Sequence, residues 1–429
     1  MIWLYRFLFP PLMLLASPYY VRRMLRRGGY GPGFSQRFGA TPTLPARREG
    51  VRRIWIQAVS VGEMLAIGPL VEALLARGDI ELYLTTTTST GYKLACERYA
   101  TKVAAIGYFP IDSWFFSRRA WKAVQPDLVI LTEGERWPEH IRQAAVRGLP
   151  VVCVNARMSD RGYSRMQGFR GAVLSLFGGI TRWLPCSVQD AERLVSLGFP
   201  AERITRTGNI KLDVTIPQMS EADRLRLRVE LGLPERGLIL LGSSTWPGEE
   251  EAVLQAFKTA RERGVELSLL LVPRHAERRA EVRVLLEHSG LRFHFRSTGA
   301  AASPVDVAVG DTTGELRKLT QLADLVFVGK SLPPHHEGQT PIEAAALGKA
   351  ILFGPKLSNF REISRDLSAC GAALHVADAA ALAEQTQELL SAPAHRAQMA
   401  QAAVAWHKAN QGAIARTVAA VRAELRLVG

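Results

Sequence analysis

Short apolar runs alternate with stretches of helical periodicity through most of the chain. In the first half the runs predict β-strands at 53–59, 81–86, 127–132, 150–155, 182–186 and 203–207. In the second half they predict strands at 238–242, 267–272, 305–309, 325–329 and 350–353. Buried strands that alternate with helices are typical of parallel sheets with helices on both faces. The pattern therefore predicts an α/β fold with two successive doubly wound, Rossmann-like domains.

The strand pattern pauses around Pro217, in a stretch with few apolar residues. We interpret 213–220 as a linker between a first domain at 31–212 and a second at 221–429. The alanine-rich tail predicts C-terminal helices that belong to the second domain. Ligands of open α/β sheets bind beyond the carboxyl ends of the strands, so we expect a ligand cleft between two facing domains.

The N-terminal segment 1–30 predicts a membrane anchor with a basic flank. Residues 2–21 are apolar and aromatic, and Arg22, Arg23, Arg26 and Arg27 follow them. Internal prolines leave open whether the segment spans the bilayer or lies in its interface. The arginines place the following domains on the cytoplasmic face. An amphipathic helix packed on its own domain is the alternative.

The basic excess is uneven, because residues 1–53 contain ten arginines and one acidic residue. A basic block beside an apolar segment fits an anionic membrane surface better than a nucleic acid, so no nucleic-acid partner is predicted. The four cysteines form no C-x-x-C pair, which favours free thiols in a reducing cytoplasm. The histidines have no metal-ligand spacing, and we predict neither a metal nor a cofactor.

Three glutamates in the first half follow predicted strands. Glu63 lies in a small-residue turn with Ser60 and Gly62. Ser60 and Glu63 have capping-box spacing, in which Glu63 bonds back to the Ser60 amide. An acid at this edge of a parallel sheet is equally a candidate for chemistry, and both interpretations stay open. Glu133 and Glu135, after a later strand, are either surface acids or site residues.

Basic and small residues at other strand ends are suited to a phosphate ligand. Lys211 lies at the domain junction, where a lysine is usually solvated but can also reach a phosphate. In the second half, Ser244 and Thr245 leave room for a ligand near backbone amides. Arg274 follows the next strand and can clamp a phosphate with two hydrogen bonds.

A second capping box is predicted near the end of the strand series. Thr340 is its N-cap, Pro341 its first helical residue and Glu343 its reciprocal acid. An acid at this place also suits nucleotide ribose binding. The chain has no Asp-x-Asp triplet, which argues against a divalent cation bridging a nucleotide diphosphate.

Six motifs resemble those of the 3-deoxy-D-manno-octulosonic acid (Kdo) transferases in order and approximate spacing. They lie at 60–63, 132–138, 208–211, 273–275, 310–315 and 340–343. The similarity runs from the N-terminal segment to the C-terminal helices. Three places depart from the family pattern: Trp246 replaces a usual His, Lys330 replaces the second Gly of a Gly-Gly-Ser, and 337–340 replaces Gly-Gly-His-Asn.

The resemblance implies a GT-B fold at the cytoplasmic face of the bacterial inner membrane, with CMP-Kdo as donor. It implies inverting transfer to a lipid A precursor, bound by the first domain, in lipopolysaccharide core synthesis. Glu63 would be the general base, and Glu133 and Lys211 would support the transition state. The implied CMP-binding residues are Pro273, Arg274, His275, Thr313, Gly314, Glu315, Thr340, Pro341, Ile342 and Glu343. Two alternatives stay open: a GT-B transferase for another nucleotide sugar, and a catalytically impaired, membrane-bound module that binds lipid or nucleotide.

Overall fold

The computed structural model describes residues 1–26 and 31–427, which form two compact units. Unit 1 comprises Met1–Asp213 and the segment from Gly412 onward, and unit 2 comprises Val214–Gln411. Each unit is built on a parallel sheet with intervening helices. The predicted α/β class with two Rossmann-like domains is therefore confirmed.

The strands of unit 1 are β1 Arg52–Gln57, β2 Ile80–Thr86, β3 Ala105–Tyr108, β4 Leu128–Thr132, β5 Val151–Ala156 and β6 Arg182–Pro185. The α-helices in the N-terminal segment of unit 1 are α1 Ile2–Arg26, α2 Val61–Ala66, α3 Gly68–Leu75, α4 Ser89–Tyr99, α5 Trp114–Val124, α6 Pro138–Val146, α7 Asp160–Gly168, α8 Arg170–Phe177 and α9 Val188–Leu197. Within the described residues the strand order is β3-β2-β1-β4-β5-β6. The order changes direction between β1 and β4, which is where an open α/β sheet forms its ligand crevice.

The strands of unit 1 are continuous apolar runs because both faces of the sheet are covered. Ile54 and Ile130 pack into the core on one face. Trp55 and Val129, their neighbours in sequence, pack into the core on the other face. Because successive side chains of a strand point to opposite faces, this alternation determines which side chains enter each core.

Two strand assignments of unit 1 differ from the sequence prediction. The predicted strand at 203–207 contributes only an isolated bridge between Ile204 and Trp183. Its polar residues lie beyond the β6 edge of the sheet, where pairing ends after one contact. Conversely, β3 was not predicted from the sequence, because its four residues include a glycine and lie at the opposite edge.

The strands of unit 2 are β7 Leu238–Thr245, β8 Leu267–Pro273, β9 Phe293–Phe295, β10 Val307–Val309, β11 Leu325–Val328, β12 Ala350–Phe353 and β13 Ala373–His375. Its helices are α10 Glu221–Glu230, α11 Glu249–Glu262, α12 Arg279–Ser289, α13 Leu316–Leu322, α14 Ile342–Ala346, α15 Arg361–Ala369, α16 Ala379–Ser391 and α17 Pro393–Asn410. The strand order in the described part is β13-β12-β11-β7-β8-β10-β9. Its switch point lies between β7 and β11. The edge strands β9 and β13, three residues each, were too short to be predicted from periodicity.

The C-terminal helix α18, Ala413–Arg426, belongs to unit 1, although the sequence pattern assigned it to the second domain. Val421 and Leu425 lie in the core on one face of the unit 1 sheet. Arg422 forms an ion pair with Asp79 at 2.7 Å. Amphipathic periodicity predicts that a helix is covered on one face, but it does not specify which sheet provides the cover.

Helix α1 contacts the rest of unit 1 through two side chains near its N-terminal end. The Tyr5 hydroxyl donates to Asp112 at 2.7 Å, and Arg6 forms an ion pair with Glu139 at 2.8 Å. Among the described residues, we find no helix with the length and apolar character that crossing a bilayer requires. Arg27, the last arginine of the predicted basic flank, lies outside the described residues.

Candidate active site

Glu63 lies in the first turn of α2, directly after β1. Ser60 is the N-cap, and its hydroxyl oxygen accepts from the Glu63 amide at 3.4 Å. The predicted return contact is different: the Glu63 carboxylate accepts from the amide of Val59 at 3.0 Å instead of that of Ser60. The turn leaving β1 presents the Val59 amide to the carboxylate. The cap thus holds both the turn and the acid.

Thr132, the last residue of β4, connects this acid to the neighbouring strand. Its hydroxyl donates to the Glu63 carboxylate at 2.6 Å, across the switch point of the sheet. Burial raises the pKa of Glu63, and the hydrogen bonds from Thr132 and Val59 counteract part of that rise. A partly exposed carboxyl group with a raised pKa is suited to accept a proton.

Glu133 has a left-handed backbone, with φ of 52°, at the carboxyl end of β4. Its carboxylate forms an ion pair with Lys211, and both side chains are largely buried. A non-glycine residue in this conformation is held there by its surroundings and is frequent at functional sites. The structure thus brings together two residues that the resemblance assigned to transition-state support.

Glu135 lies on the same loop. Burial raises its pKa to about 7, and the negative charge of Glu63 adds to this rise. The two acids are therefore close enough to influence each other electrostatically. Gly62 is exposed in the turn that carries Glu63. The carboxyl edge of unit 1 consequently collects three glutamates, two of which hold their protons more tightly than an ordinary surface acid.

Asn155 is a site residue that the sequence analysis missed. It lies at the end of β5, is fully buried and has a left-handed φ of 54°. Its side-chain nitrogen donates to Glu133 at 3.4 Å, and its side-chain oxygen accepts from the Ile210 amide at 3.1 Å. Asn155 thereby fixes the loop that carries Lys211. An asparagine that ends an apolar strand is the signal that could have identified it, because asparagine tolerates this conformation.

In unit 2, Ser244 and Thr245 are the last two residues of β7, and both are buried. Ser244 has a left-handed φ of 54°. The Thr245 hydroxyl is buried and donates to Glu250 at 2.9 Å, so it stabilises the loop rather than facing a ligand. Glu250 also pairs with Arg278 at 2.7 Å. Ser244 and Thr245 therefore determine the backbone conformation at this end of β7.

The loop after β8 carries the predicted phosphate clamp. Pro273 is buried at the end of β8, whereas Arg274 and His275 are exposed. The Arg274 amide donates to the Thr245 carbonyl at 3.1 Å, which joins this loop to the one after β7. The His275 ring lies 5.2 Å from the ring of Trp246. The arginine side chain is thus exposed on a backbone that its neighbours hold in place.

Glu249 is a second residue that sequence analysis did not single out. Its carboxylate accepts from the amides of Trp246, Lys330, Ser331 and Leu332 at 2.6–3.0 Å. The residue is only 1% exposed. One buried carboxylate therefore holds together the loops that follow β7 and β11, on either side of the unit 2 switch point.

The turn after β10 presents Thr313 and Gly314 to solvent. Gly314 has φ of 89°, a conformation that favours glycine. The hydroxyl of Thr312 holds the pKa of Glu315 below its usual range, and Arg296, at 3.5 Å, contributes in the same direction. Glu315 is thus an anchored carboxylate beside an exposed turn.

The prediction of a capping box with Thr340 as N-cap and Pro341 as first helical residue is wrong. Helix α14 begins at Ile342 and Pro341 is its N-cap, because the first helical hydrogen bond runs from Ala345 to the Pro341 carbonyl at 3.0 Å. Thr340 still accepts from the Ile342 amide, and its hydroxyl donates to Glu343, both at 3.2 Å. Thr340 and Glu343 are therefore in contact, but through the threonine hydroxyl and not through the two backbone amides of a capping box.

Arg317 joins two of the predicted donor segments. It follows the 313–315 turn on α13, and its guanidinium lies 3.6 Å from the Glu343 carboxylate. The segments after β10 and before α14 are therefore neighbours, as expected for residues that bind one ligand. The structure brings Arg274 to Thr245, His275 to Trp246, and Glu343 to Arg317.

Comparison with known proteins decides the family. The family model of 3-deoxy-D-manno-octulosonic-acid transferase (kdotransferase) matches residues 32–214. A 3-deoxy-D-manno-octulosonic acid transferase of Bordetella pertussis is 36% identical over 423 residues, which cover 93% of this chain and 94% of that protein. The chain belongs to the Kdo transferase family. The Haemophilus influenzae protein of the same description is 32% identical, over 94% of this chain and 92% of its own.

Solved structures share the fold at low sequence identity. A glycosyltransferase of Rickettsia africae aligns with a TM-score of 0.57 at 13% identity, over 87% of this chain and 98% of its own. This similarity concerns the fold alone. Together with the family assignment, it confirms the sequence prediction of a glycosyltransferase enzyme with a GT-B-type fold. The roles of individual residues are still predictions.

Proposed function

We propose that this Kdo transferase family member transfers Kdo from CMP-Kdo to a hydroxyl group of a lipid A precursor of the tetraacyldisaccharide 4′-phosphate type. The observation that carries the proposal is the Glu63 carboxylate at the switch point of unit 1. It is partly exposed, its pKa is raised by burial, and Glu133 and Glu135 lie beside it. Family membership supplies the reaction class, and this carboxylate supplies the base that the reaction needs.

In the proposed reaction Glu63 removes the proton from the acceptor hydroxyl as its oxygen attacks the anomeric carbon of Kdo. A bond forms between that oxygen and the anomeric carbon. The bond from the carbon to the CMP phosphate breaks, and CMP leaves with the electron pair. Attack opposite the leaving group inverts the configuration. The contacts from Val59 and Thr132 orient the carboxylate, which lowers the entropic cost of reaching this geometry.

Negative charge grows on the phosphate as CMP departs, and cations that are already in place stabilise it. Lys211 is oriented by its ion pair with Glu133. In unit 2, Arg274 offers an exposed guanidinium that can form two hydrogen bonds to a phosphate. The remaining CMP contacts are assigned to 313–315 and 340–343, whose carboxylates suit nucleotide hydroxyl groups.

A membrane surface fits the acceptor. Helix α1 exposes large apolar side chains, among them Trp3, Phe7, Leu12 and Leu15. Helix α5 begins two residues after Asp112, which accepts a hydrogen bond from Tyr5 of α1. It exposes Trp114 and Phe115, and the Arg118 guanidinium lies 5.3 Å from the centroid of the Trp114 ring. Aromatic and basic side chains together are typical of helices that lie in a lipid interface. We therefore place the enzyme on the cytoplasmic face of the bacterial inner membrane.

Mass spectrometry of the product tests the function. The purified chain is incubated with a tetraacyldisaccharide 4′-phosphate precursor and either CMP-Kdo or a panel of UDP-sugars. We expect a mass increase by one or more Kdo residues with CMP-Kdo alone. Transfer from a UDP-sugar instead would assign another donor, and no product even in single-turnover assays would favour a module that only binds lipid or nucleotide. Cell fractionation tests the location separately, with recovery in the soluble fraction as the contrary result.

A further inference from the structure

Lys330 lies at the switch point of unit 2, where ligands of open α/β sheets bind. Strands β7 and β11 are neighbours, and Val328 at the end of β11 is in register with Ser243 of β7. Gly329 and Lys330 follow directly. A Cβ atom at Gly329 would lie 2.5 Å from the Ser244 carbonyl oxygen, so the two loops are packed closely. The position of Lys330 is therefore fixed by its neighbours.

The backbone of Lys330 is left-handed, with φ of 58°. A long side chain adopts this conformation at a cost that glycine does not have. The Glu249 carboxylate holds the residue there by accepting from its amide at 2.6 Å, and from the next two amides at 2.7 and 3.0 Å. These backbone contacts would form equally well with glycine at 330. The fold therefore does not require a lysine side chain at this place.

The Lys330 ammonium group lies 4.2 Å from the centroid of the Trp246 ring and 3.5 Å from the Glu337 carboxylate. The Trp246 ring also contacts His275 at 5.2 Å and His335 at 5.6 Å. The ammonium group is thus positioned where the loops after β7, β8 and β11 meet. Its carboxylate partner is partly exposed, and a pair with one side open to solvent contributes little to stability.

We propose that Lys330 is a further donor-binding residue, whose ammonium group binds an anionic group of the nucleotide sugar. The proposal rests on the proposed function. A CMP-sugar acid carries two anionic groups, a phosphate and a sugar carboxylate, and the ammonium group can donate hydrogen bonds to either. The ring of Trp246 directs the lysine side chain without consuming its hydrogen-bond donors. Arg274, on the neighbouring loop, adds a second positive charge at this edge.

Lys330→Gly separates a binding role from a structural one. It relieves the left-handed backbone and removes the charge. We expect the KM for CMP-Kdo to rise about tenfold or more, as for the loss of a charge-assisted hydrogen bond. We expect kcat and the acceptor KM to stay within about twofold and the Tm to be unchanged or raised. Lys330→Met should show the same KM defect, and Lys330→Arg should restore part of the affinity.

Two matched controls complete the experiment. Lys408→Met removes an exposed lysine from α17 and should leave the donor KM unchanged. Gln125→Gly relieves a left-handed residue, with φ of 48°, in unit 1 and should raise the Tm without affecting the KM. An unchanged donor KM in Lys330→Gly would overturn the proposal. Wild-type turnover of CMP-Kdo tests the proposed function independently, because the proposal concerns the ratio of variant to wild type.

Binding of CMP alone identifies the anionic group. If the Kd for CMP rises by the same factor as the KM for CMP-Kdo in Lys330→Met, the lysine binds the phosphate. If the Kd for CMP is unchanged while the KM for CMP-Kdo rises, it binds the sugar carboxylate. Either result supports the proposal. If neither the Kd for CMP nor the KM for CMP-Kdo rises, the proposal is wrong.

Discussion

A glutamate follows the first strand of the sheet in both units, and the two side chains have different surroundings. Glu249 in unit 2 is 1% exposed, and its carboxylate accepts from four backbone amides. Glu63 in unit 1 is partly exposed, and it accepts from one backbone amide and two hydroxyls. A carboxylate saturated by amides stabilises its loops. A carboxylate held from one side and open on the other is available for chemistry.

The two sheet edges also differ in charge. The edge of unit 1 collects Glu63, Glu133 and Glu135, whereas the edge of unit 2 exposes Arg274 and buries Glu249 and Glu250. A hydroxyl acceptor needs a base, and an anionic nucleotide donor needs cations. This difference supports the proposal that the acids of unit 1 activate the acceptor and that unit 2 binds the donor. The following experiments test this division, ordered by their expected effect on turnover.

Glu63→Gln should lower kcat at least about a hundredfold, because the amide cannot accept the proton. The donor KM should change little, since Glu63 does not bind the nucleotide in this assignment. Steady-state kinetics with CMP-Kdo and the lipid A precursor provide the measurement. Glu97→Gln, on the exposed surface of α4, is the control. A Glu63→Gln enzyme with near-normal kcat would remove Glu63 from the mechanism.

Glu133→Gln and Lys211→Met should each lower kcat about tenfold to a hundredfold, because each breaks the ion pair that orients the other group. The double variant should be little worse than either single variant, since residues that act as one unit are not additive. A double-mutant cycle on kcat measures this coupling. Fully multiplicative effects would show that the two residues act separately.

Glu249→Gln should spare kcat and raise the donor KM about tenfold, in contrast to Glu63→Gln. A neutral side chain binds the four amides more weakly and places an NH₂ group against some of them. The loops after β7 and β11 should loosen, and the Tm should fall by about 5–10 °C. Kinetics and thermal unfolding on the same samples test this. If kcat falls while the Tm is kept, the proposed difference between the two glutamates is wrong.

Thr132→Val should move the acidic limb of the kcat profile to higher pH. The Thr132 hydroxyl lowers the pKa of Glu63, so its removal leaves burial to raise that pKa further. A base with a raised pKa is protonated at higher pH, and turnover is then lost earlier as the pH falls. At high pH, where Glu63 is charged in both proteins, the rates should converge. An acidic limb that does not move would show that another group controls it.

Much of the site could be predicted from the sequence because its residues follow apolar strands. Glu133 and Arg274 come directly after such a strand, and Glu63 lies at the start of the helix that follows one. Parallel topology places strand ends on one edge. The resemblance to the Kdo transferases was confirmed by the comparisons. Asn155 and Glu249 were missed, because their roles consist of hydrogen bonds to segments distant in sequence. Local patterns do not contain such contacts.

The sequence by itself determined the α/β class, most strands, the Ser60 N-cap and the family. These features depend on local periodicity and on motifs of adjacent residues. Only the tertiary structure decided that α18 covers the unit 1 sheet, that Lys211 pairs with Glu133, and that Lys330 lies over Trp246. The physical reason is that burial and charge pairing depend on which distant segments meet. A glutamate after a strand is saturated by four backbone amides in one unit and accepts from a single amide in the other, and only distant segments decide this difference.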